Sequence, residues 1–228
     1  MLVFIHGMWG SADMWKPFIN YFGERGFKCK SIELKEGLDL RKTSFIDYVR
    51  KVKRIVGEND VVIGHSLGGL IVQKIAEEMK IKGGVAICPA PPRGIKFRKK
   101  MVVSSLKYLP KVIMKKPFKP DFSFSRKLFM NCLEEDEAKI AYEKLGEDSA
   151  IVAYEITMNK IAVNENKVSC PLLFIATKED RASPPFIVEK IARKYNAEYK
   201  LYDGCHWIFK NWRDIADGIQ AFLLNLYK

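Results

Sequence analysis

Residues 64–68 read Gly-His-Ser-Leu-Gly, with a further glycine at 69, at the point where the apolar run Val61 to Ile63 gives way to helical spacing. A serine in a Gly-x-Ser-x-Gly setting, with a strand before it and a helix after it, is placed to act as a nucleophile on a sharp turn. Small residues two before and two after are needed because neighbouring backbones pass close to such a bend. The alternative reading is an ordinary glycine-rich turn with Ser66 as a helix cap. A hydroxyl is a weak nucleophile until a base removes its proton, so the first reading requires a histidine with a carboxylate behind it. The chain has three histidines. His65 adjoins Ser66 and faces elsewhere, and His6 comes too early. His206, in "LYDGCHWIF", follows the last strand-like run. Asp180 follows the run Leu172 to Thr177, with Glu179 as a neighbouring carboxylate that is less well placed. Asp203 reads as a surface turn residue.

The elements that must hold these groups alternate in kind. Strand-like runs at Leu2 to Ile5, Phe27 to Leu34, Val61 to Ile63 and Gly84 to Cys88 are separated by helical spacing at Asp13 to Phe22, Ser44 to Val56 and Leu67 to Met79. Such βα alternation predicts an α/β fold with a mainly parallel sheet of about six strands, binding loops gathering at the strand C-terminal ends. The rhythm stops at "CPAPPRG", because prolines 89, 91 and 92 continue neither helix nor strand. It resumes with Leu172 to Thr177, a helix from Pro184 to Tyr195, a strand at Glu198 to Tyr202 and a helix at Trp212 to Leu226. Residues 93–167 are therefore read as a helical insertion after the fourth strand, with helices near Glu134 to Leu145 and Ser149 to Ile161. Residues 1–92 and 168–228 form the core.

With these pieces assembled, the chain resembles the α/β-hydrolase family over nearly its whole length. "GHSLGG" is similar to that family's nucleophile elbow, "TKEDRASPP" to its acid segment, and "GCHWIF" to its base segment. His6-Gly7-Met8-Trp9-Gly10 resembles its oxyanion loop. The resemblance implies Ser66 as nucleophile, His206 as base, Asp180 as orienting acid, and the amides of Met8 and Leu67 as the oxyanion hole. Leu2 to Ile5 takes the place of the family's third strand, and residues 93–167 the place of its cap or lid. Trp9 and His65 are candidates to line the substrate pocket. This chain has Thr177 and Cys205 where the family commonly has glycine. The activity so implied is hydrolysis of carboxylic esters of short to medium acyl chain, with no metal or organic cofactor. Thioester, amide or carbon-carbon bond hydrolysis stays open on the same groups, whereas a serine excludes relatives with an aspartate nucleophile.

Composition bounds the remaining classes. The 228 residues carry a net charge of +12, concentrated between Arg93 and Lys127, where 12 bases meet one acid. Residues 128–167 hold 9 acids and 4 bases and can neutralise part of it. A non-catalytic binder working through this basic stretch, on nucleic acid or an anionic membrane, is the rival class, but no nucleic-acid motif accompanies the charge. The apolar stripe Met101, Val102, Leu106, Leu109, Val112 and Ile113, with Phe97, Phe118, Phe122, Phe124 and Phe129, is expected to form the underside of the cap and the acyl pocket. No run is long enough for a membrane span, and Met1 to Ile5 ends at His6-Gly7 without the pattern of a secretory signal. Five scattered cysteines with no CxxC pair are expected to be buried thiols, not a disulfide framework. A cytoplasmic protein acting on a small ester is the expectation, with oligomeric state left open.

Overall fold

The computed structural model describes residues 1–227. Its centre is one six-stranded sheet of β1 (Leu2–Ile5), β2 (Cys29–Ile32), β3 (Val61–His65), β4 (Gly83–Ile87), β5 (Leu172–Thr177) and β6 (Glu198–Tyr202). The order across the sheet is β2-β1-β3-β4-β5-β6, and every adjacent pair is parallel. β1, β3, β4 and β5 are buried throughout, which explains why they read as unbroken apolar runs. Their side chains nonetheless divide between two cores. Val3, Ile5, Val62, Ala86, Phe174 and Ala176 meet one helical layer, made of α2 (Phe45–Lys53), α3 (Leu67–Glu78) and α9 (Pro185–Lys194). Leu2, Phe4, Ile63, Val85, Leu173 and Ile175 meet the other, made of α1 (Lys16–Gly23) and α10 (Trp212–Leu226). The period of two along each strand sends alternate residues to opposite faces.

The predicted helix from Asp13 is a short 3₁₀ turn, Ala12–Trp15, followed by α1, which opens on Pro17 near its first position. Ser44 starts α2 through a reciprocal capping arrangement with Asp47.

Between β4 and β5 lie α4 (Lys99–Ser105), α5 (Leu109–Ile113), α6 (Phe122–Leu128), α7 (Glu135–Glu143) and α8 (Ala150–Thr157). Asp121 caps α6 by accepting from Phe124 N, and Ser149 caps α8 by accepting from Ile151 N and Val152 N. Tyr108, Phe118, Phe124, Ala150 and Ala153 make a small core of their own beneath Trp9 and Phe129.

Two features depart from what the sequence predicts. The stripe from Met101 to Ile113 is not a continuous underside. A 3₁₀ turn, Leu106–Tyr108, breaks the helical period between α4 and α5, so Val112 packs inward while Leu106, Leu109 and Ile113 are exposed at 55%, 44% and 73%. The cysteines are not all thiols either: Cys132 and Cys205 form a disulfide across 73 residues of sequence. Cys132 sits in the turn between α6 and α7, which folds down onto the loop after β6, a meeting that no sequence spacing announces. Cys29, Cys88 and Cys170 remain free. A disulfide is uncommon in reducing compartments, so cysteine usage no longer supports the cytoplasmic expectation. Among the described residues no helix is long and apolar enough to cross a membrane.

Candidate active site

β3 ends at His65 and α3 begins at Leu67, so the chain must reverse within Ser66, which takes φ 53 and ψ −113. That left-handed backbone is costly for a residue with a side chain and is held by its surroundings. The glycines make it feasible. A Cβ on Gly64 would lie 2.2 Å from Gly68 O, and one on Gly68 would lie 2.3 Å from Ile5 O. The amide of Ser66 donates to Ile87 O at 2.9 Å, fixing the turn to the neighbouring strand.

The loops after β5 and β6 converge on the same edge. His206 is buried, its Nε2 lying 2.9 Å from Ser66 Oγ and its Nδ1 2.8 Å from Asp180 Oδ2. The other oxygen of Asp180 accepts from Ala182 N and Ser183 N, each at 2.8 Å, so the carboxylate is fully engaged and aimed at the ring. Because an ionised carboxylate can only accept, the ring proton is assigned to Nδ1, which leaves the Nε2 lone pair toward the serine. Glu179 points to solvent, and its carbonyl accepts from Asn131 Nδ2. Asp203 is exposed and pairs with Lys178 at 2.6 Å.

Thr177 and Cys205 have defined places. Thr177 Oγ1 donates to Cys205 O at 3.0 Å, tying the end of β5 to the residue before His206. Cys88, at the end of β4, brings its Sγ within 4.8 Å of ligand-type atoms of Asp180 and His206. Burial and then the Asp180 charge push this thiol well above its ordinary value. In this cluster the carboxylate and the ring already bond to each other.

Of the other histidines, His65 donates from Nε2 to His206 O at 3.0 Å. Burial and the neighbouring His206 ring hold its pKa well below the ordinary imidazole value, so it is neutral. His6 is buried with Nε2 3.2 Å from Glu33 Oε1. Burial alone would raise the Glu33 carboxyl, but His6, the Ala12 amide and Lys35 hold it at about 2.

A pocket of about 70 Å³ opens above Ser66, lined by Met8, Trp9, Leu67, Phe97, Met101 and Phe124 among others. The Leu67 amide is at the first position of α3, where no intrahelical acceptor exists and the helix dipole favours negative charge. Met8 lies in the turn after β1, and Trp9 beside it has φ 62. Trp9 is gripped from the insertion: its amide donates to Asp148 Oδ2 at 2.9 Å, its indole Nε1 donates to Phe118 O at 2.9 Å, and its carbonyl accepts from Gly146 N at 2.8 Å. Asp148 is fully buried and also accepts from Tyr48 Oη at 2.6 Å. Nothing in the sequence singled it out, because it stands in an acid-rich run and its partner is 139 residues away. Of the two expected pocket residues, Trp9 lines the main cavity, whereas His65 lines a smaller one of about 40 Å³ that shares Met8, Ser66 and His206 with it.

Solved structures resemble this chain over almost all of its length. A carboxylesterase structure from the ammonia-oxidising thaumarchaeon Nitrososphaera gargenis is 17% identical, with a TM-score of 0.76, covering 99% of this chain and 90% of that one. An extracellular alpha/beta-hydrolase from a Paenibacillus species is 17% identical, with a TM-score of 0.77 and coverage of 95% and 96%. The monoacylglycerol lipase of Paleococcus ferrophilus is 21% identical, with a TM-score of 0.73 and coverage of 99% and 94%. At such identities the likeness is one of fold. No curated protein sequence matches the chain. The sequence model of the alpha/beta hydrolase family, however, matches residues 2–217, and this chain belongs to that family.

Proposed function

We propose that the protein is a serine hydrolase of carboxylic esters with short to medium acyl chains, working through an acyl-enzyme intermediate. The observation that carries this reading is the unbroken line from Ser66 Oγ through His206 to Asp180, at 2.9 and 2.8 Å, at the floor of an apolar pocket. Ser66 attacks the ester carbonyl while His206 Nε2 takes its proton, and Asp180 stabilises the imidazolium that forms. The amides of Met8 and Leu67 face the carbonyl oxygen as it gains charge. His206 then returns the proton to the departing alcohol, and water repeats the sequence to release the acid. The insertion of residues 93–167 acts as a cap, its Phe97, Phe124 and Phe129 supplying apolar wall for the acyl group.

A fluorophosphonate probe followed by mass mapping tests this directly. Labelling is expected at Ser66 alone, and it is expected to vanish in His206→Ala. Intact protein labelled elsewhere, or Ser66→Ala with near-native turnover of p-nitrophenyl esters, would overturn the assignment. Each buried methylene contributes about 0.8 kcal/mol, roughly fourfold in kcat/KM, until the pocket fills. A flat profile across acyl lengths would remove the pocket from the cap.

A further inference from the structure

Next to the apolar pocket opens a larger cleft, about 390 Å³, with a different kind of wall. Arg98, Lys100, Lys127 and Arg181 line it, and no carboxylate does. The ion pairs of the insertion lie elsewhere, between Lys107 and Asp121, Arg126 and Glu135, Lys139 and its own helix, Lys210 and Glu137, and Lys194 and Glu165. None of the four cations has an ion-pair partner among the described residues. They come from separate segments: Arg98 and Lys100 from the start of α4, Lys127 from the end of α6, and Arg181 from the residue after Asp180. Arg181 Nη1 donates to Lys127 O at 3.4 Å, which brings the last two together.

The cleft shares Met101, Phe124 and Leu128 with the pocket above Ser66. On another side, that pocket shares Trp9, Ser105, Phe124, Ala153 and Thr157 with an apolar cavity of about 80 Å³. Two spaces therefore adjoin the serine pocket, an apolar branch and a cationic one, with Phe124 on the wall of all three. An ester carbonyl at Ser66 has two substituents to place. The acyl chain gains by entering the apolar branch. A cluster of unpaired guanidinium and ammonium groups rewards a multiply charged oxyanion, which a phosphate offers in a geometry suited to both.

We propose that this cleft is an anionic subsite for a phosphate monoester group carried on the alcohol side of the substrate. This deepens the hydrolase reading and rests on it for the position of the scissile bond. It assigns the substrate class as acyl esters of phosphorylated alcohols.

Binding is the primary test because it does not depend on turnover. Octyl phosphate, octanol and inorganic phosphate are titrated calorimetrically into intact protein and into Lys100→Gln/Lys127→Gln at low and high salt. Octyl phosphate is expected to bind roughly tenfold or more tighter than octanol, the scale of a few partly exposed charge contacts. It is also expected to bind at least about tenfold tighter than inorganic phosphate, which leaves the apolar branch empty. Salt and the double substitution should each erode the first ratio, and Lys127→Glu should bring it close to one. Equal affinity for octyl phosphate and octanol in the intact protein would overturn the subsite, as would a preference that the double substitution leaves undiminished. Inorganic phosphate binding as tightly as octyl phosphate would overturn its link to the apolar pocket. Hydrolysis of neutral p-nitrophenyl esters is read separately: its failure would sink the hydrolase reading, while the binding ratio still reports on the subsite.

Discussion

At Asp180 the carboxylate spends one oxygen on two backbone amides and the other on His206 Nδ1, whereas Glu179 beside it faces solvent. An amide at 180 presents an N–H donor where the ring needs an acceptor, and it favours the wrong tautomer. Asp180→Asn is therefore expected to lower kcat about 10⁴-fold, the scale for loss of an orienting acid, while Glu179→Gln stays near the parent rate. Comparable losses in both would reassign the acid. His65 makes a separate, pH-dependent contribution. Its folded pKa lies well below the ordinary 6.5, so below that pH the unfolded chain takes up a proton that the folded chain refuses. The stability it protects is complete above about pH 6.5 and declines as pH falls toward the depressed folded value, by up to about 1.4 kcal/mol per unit. Thermal melts between pH 7.5 and 5 should show a shallower decline in His65→Gln, whose amide can still donate to the His206 carbonyl. An unchanged slope would mean that other groups set the acid limit.

The turn after β1 depends on an element far away in sequence. Trp9 holds a left-handed backbone next to Met8, and the groups that keep it there, Phe118, Gly146 and Asp148, all belong to the insertion. Asp148→Ala would strand the Trp9 amide and the Tyr48 hydroxyl, each at about 1–3 kcal/mol. The expected result is a melting point several degrees lower and, on the oxyanion role proposed for the Met8 amide, a kcat reduced about tenfold with little change in KM, because displacing that amide would affect the charged transition state more than the bound ester. A rise in KM alone would place the effect in the pocket. The contrast between these elements explains what could be read in advance. β5, β6 and α10 lie where the residues predicted them, and Ser66, Asp180 and His206 come together as their order suggested, because apolar period, glycine placement and loop position are local signals. Asp148 and the Cys132–Cys205 pair depend on contacts across 139 and 73 residues, and local pattern carries no trace of them. The α4 to α5 stretch misled for a third reason. A helical stripe continues in the sequence, but the 3₁₀ turn at Leu106–Tyr108 rotates α5 relative to α4, so one apolar face becomes two.

Taken as a whole, the molecule is a sheet with helices on both faces and a basic insertion standing over the strand C-terminal ends. Its charge is unevenly spread, and the four unpaired cations around the cleft lie on the insertion side of the serine. The disulfide between Cys132 and Cys205 joins that insertion to the loop that carries His206. Its effect reaches the unfolded chain as well. Cysteines 73 positions apart close a ring that forbids most of the separations an open coil would explore. On the loop-closure relation, such a ring removes about 4 kcal/mol of denatured-state freedom. Chemical denaturation is therefore expected at a clearly lower midpoint in Cys132→Ser/Cys205→Ser, with the m-value somewhat larger because the open chain exposes more surface. An identical midpoint would mean that the denatured chain is compact enough already for the link to constrain nothing. The same ring makes the insertion and the histidine loop partners in a single unfolding event: neither can drift away from the other until the covalent link between them is cut.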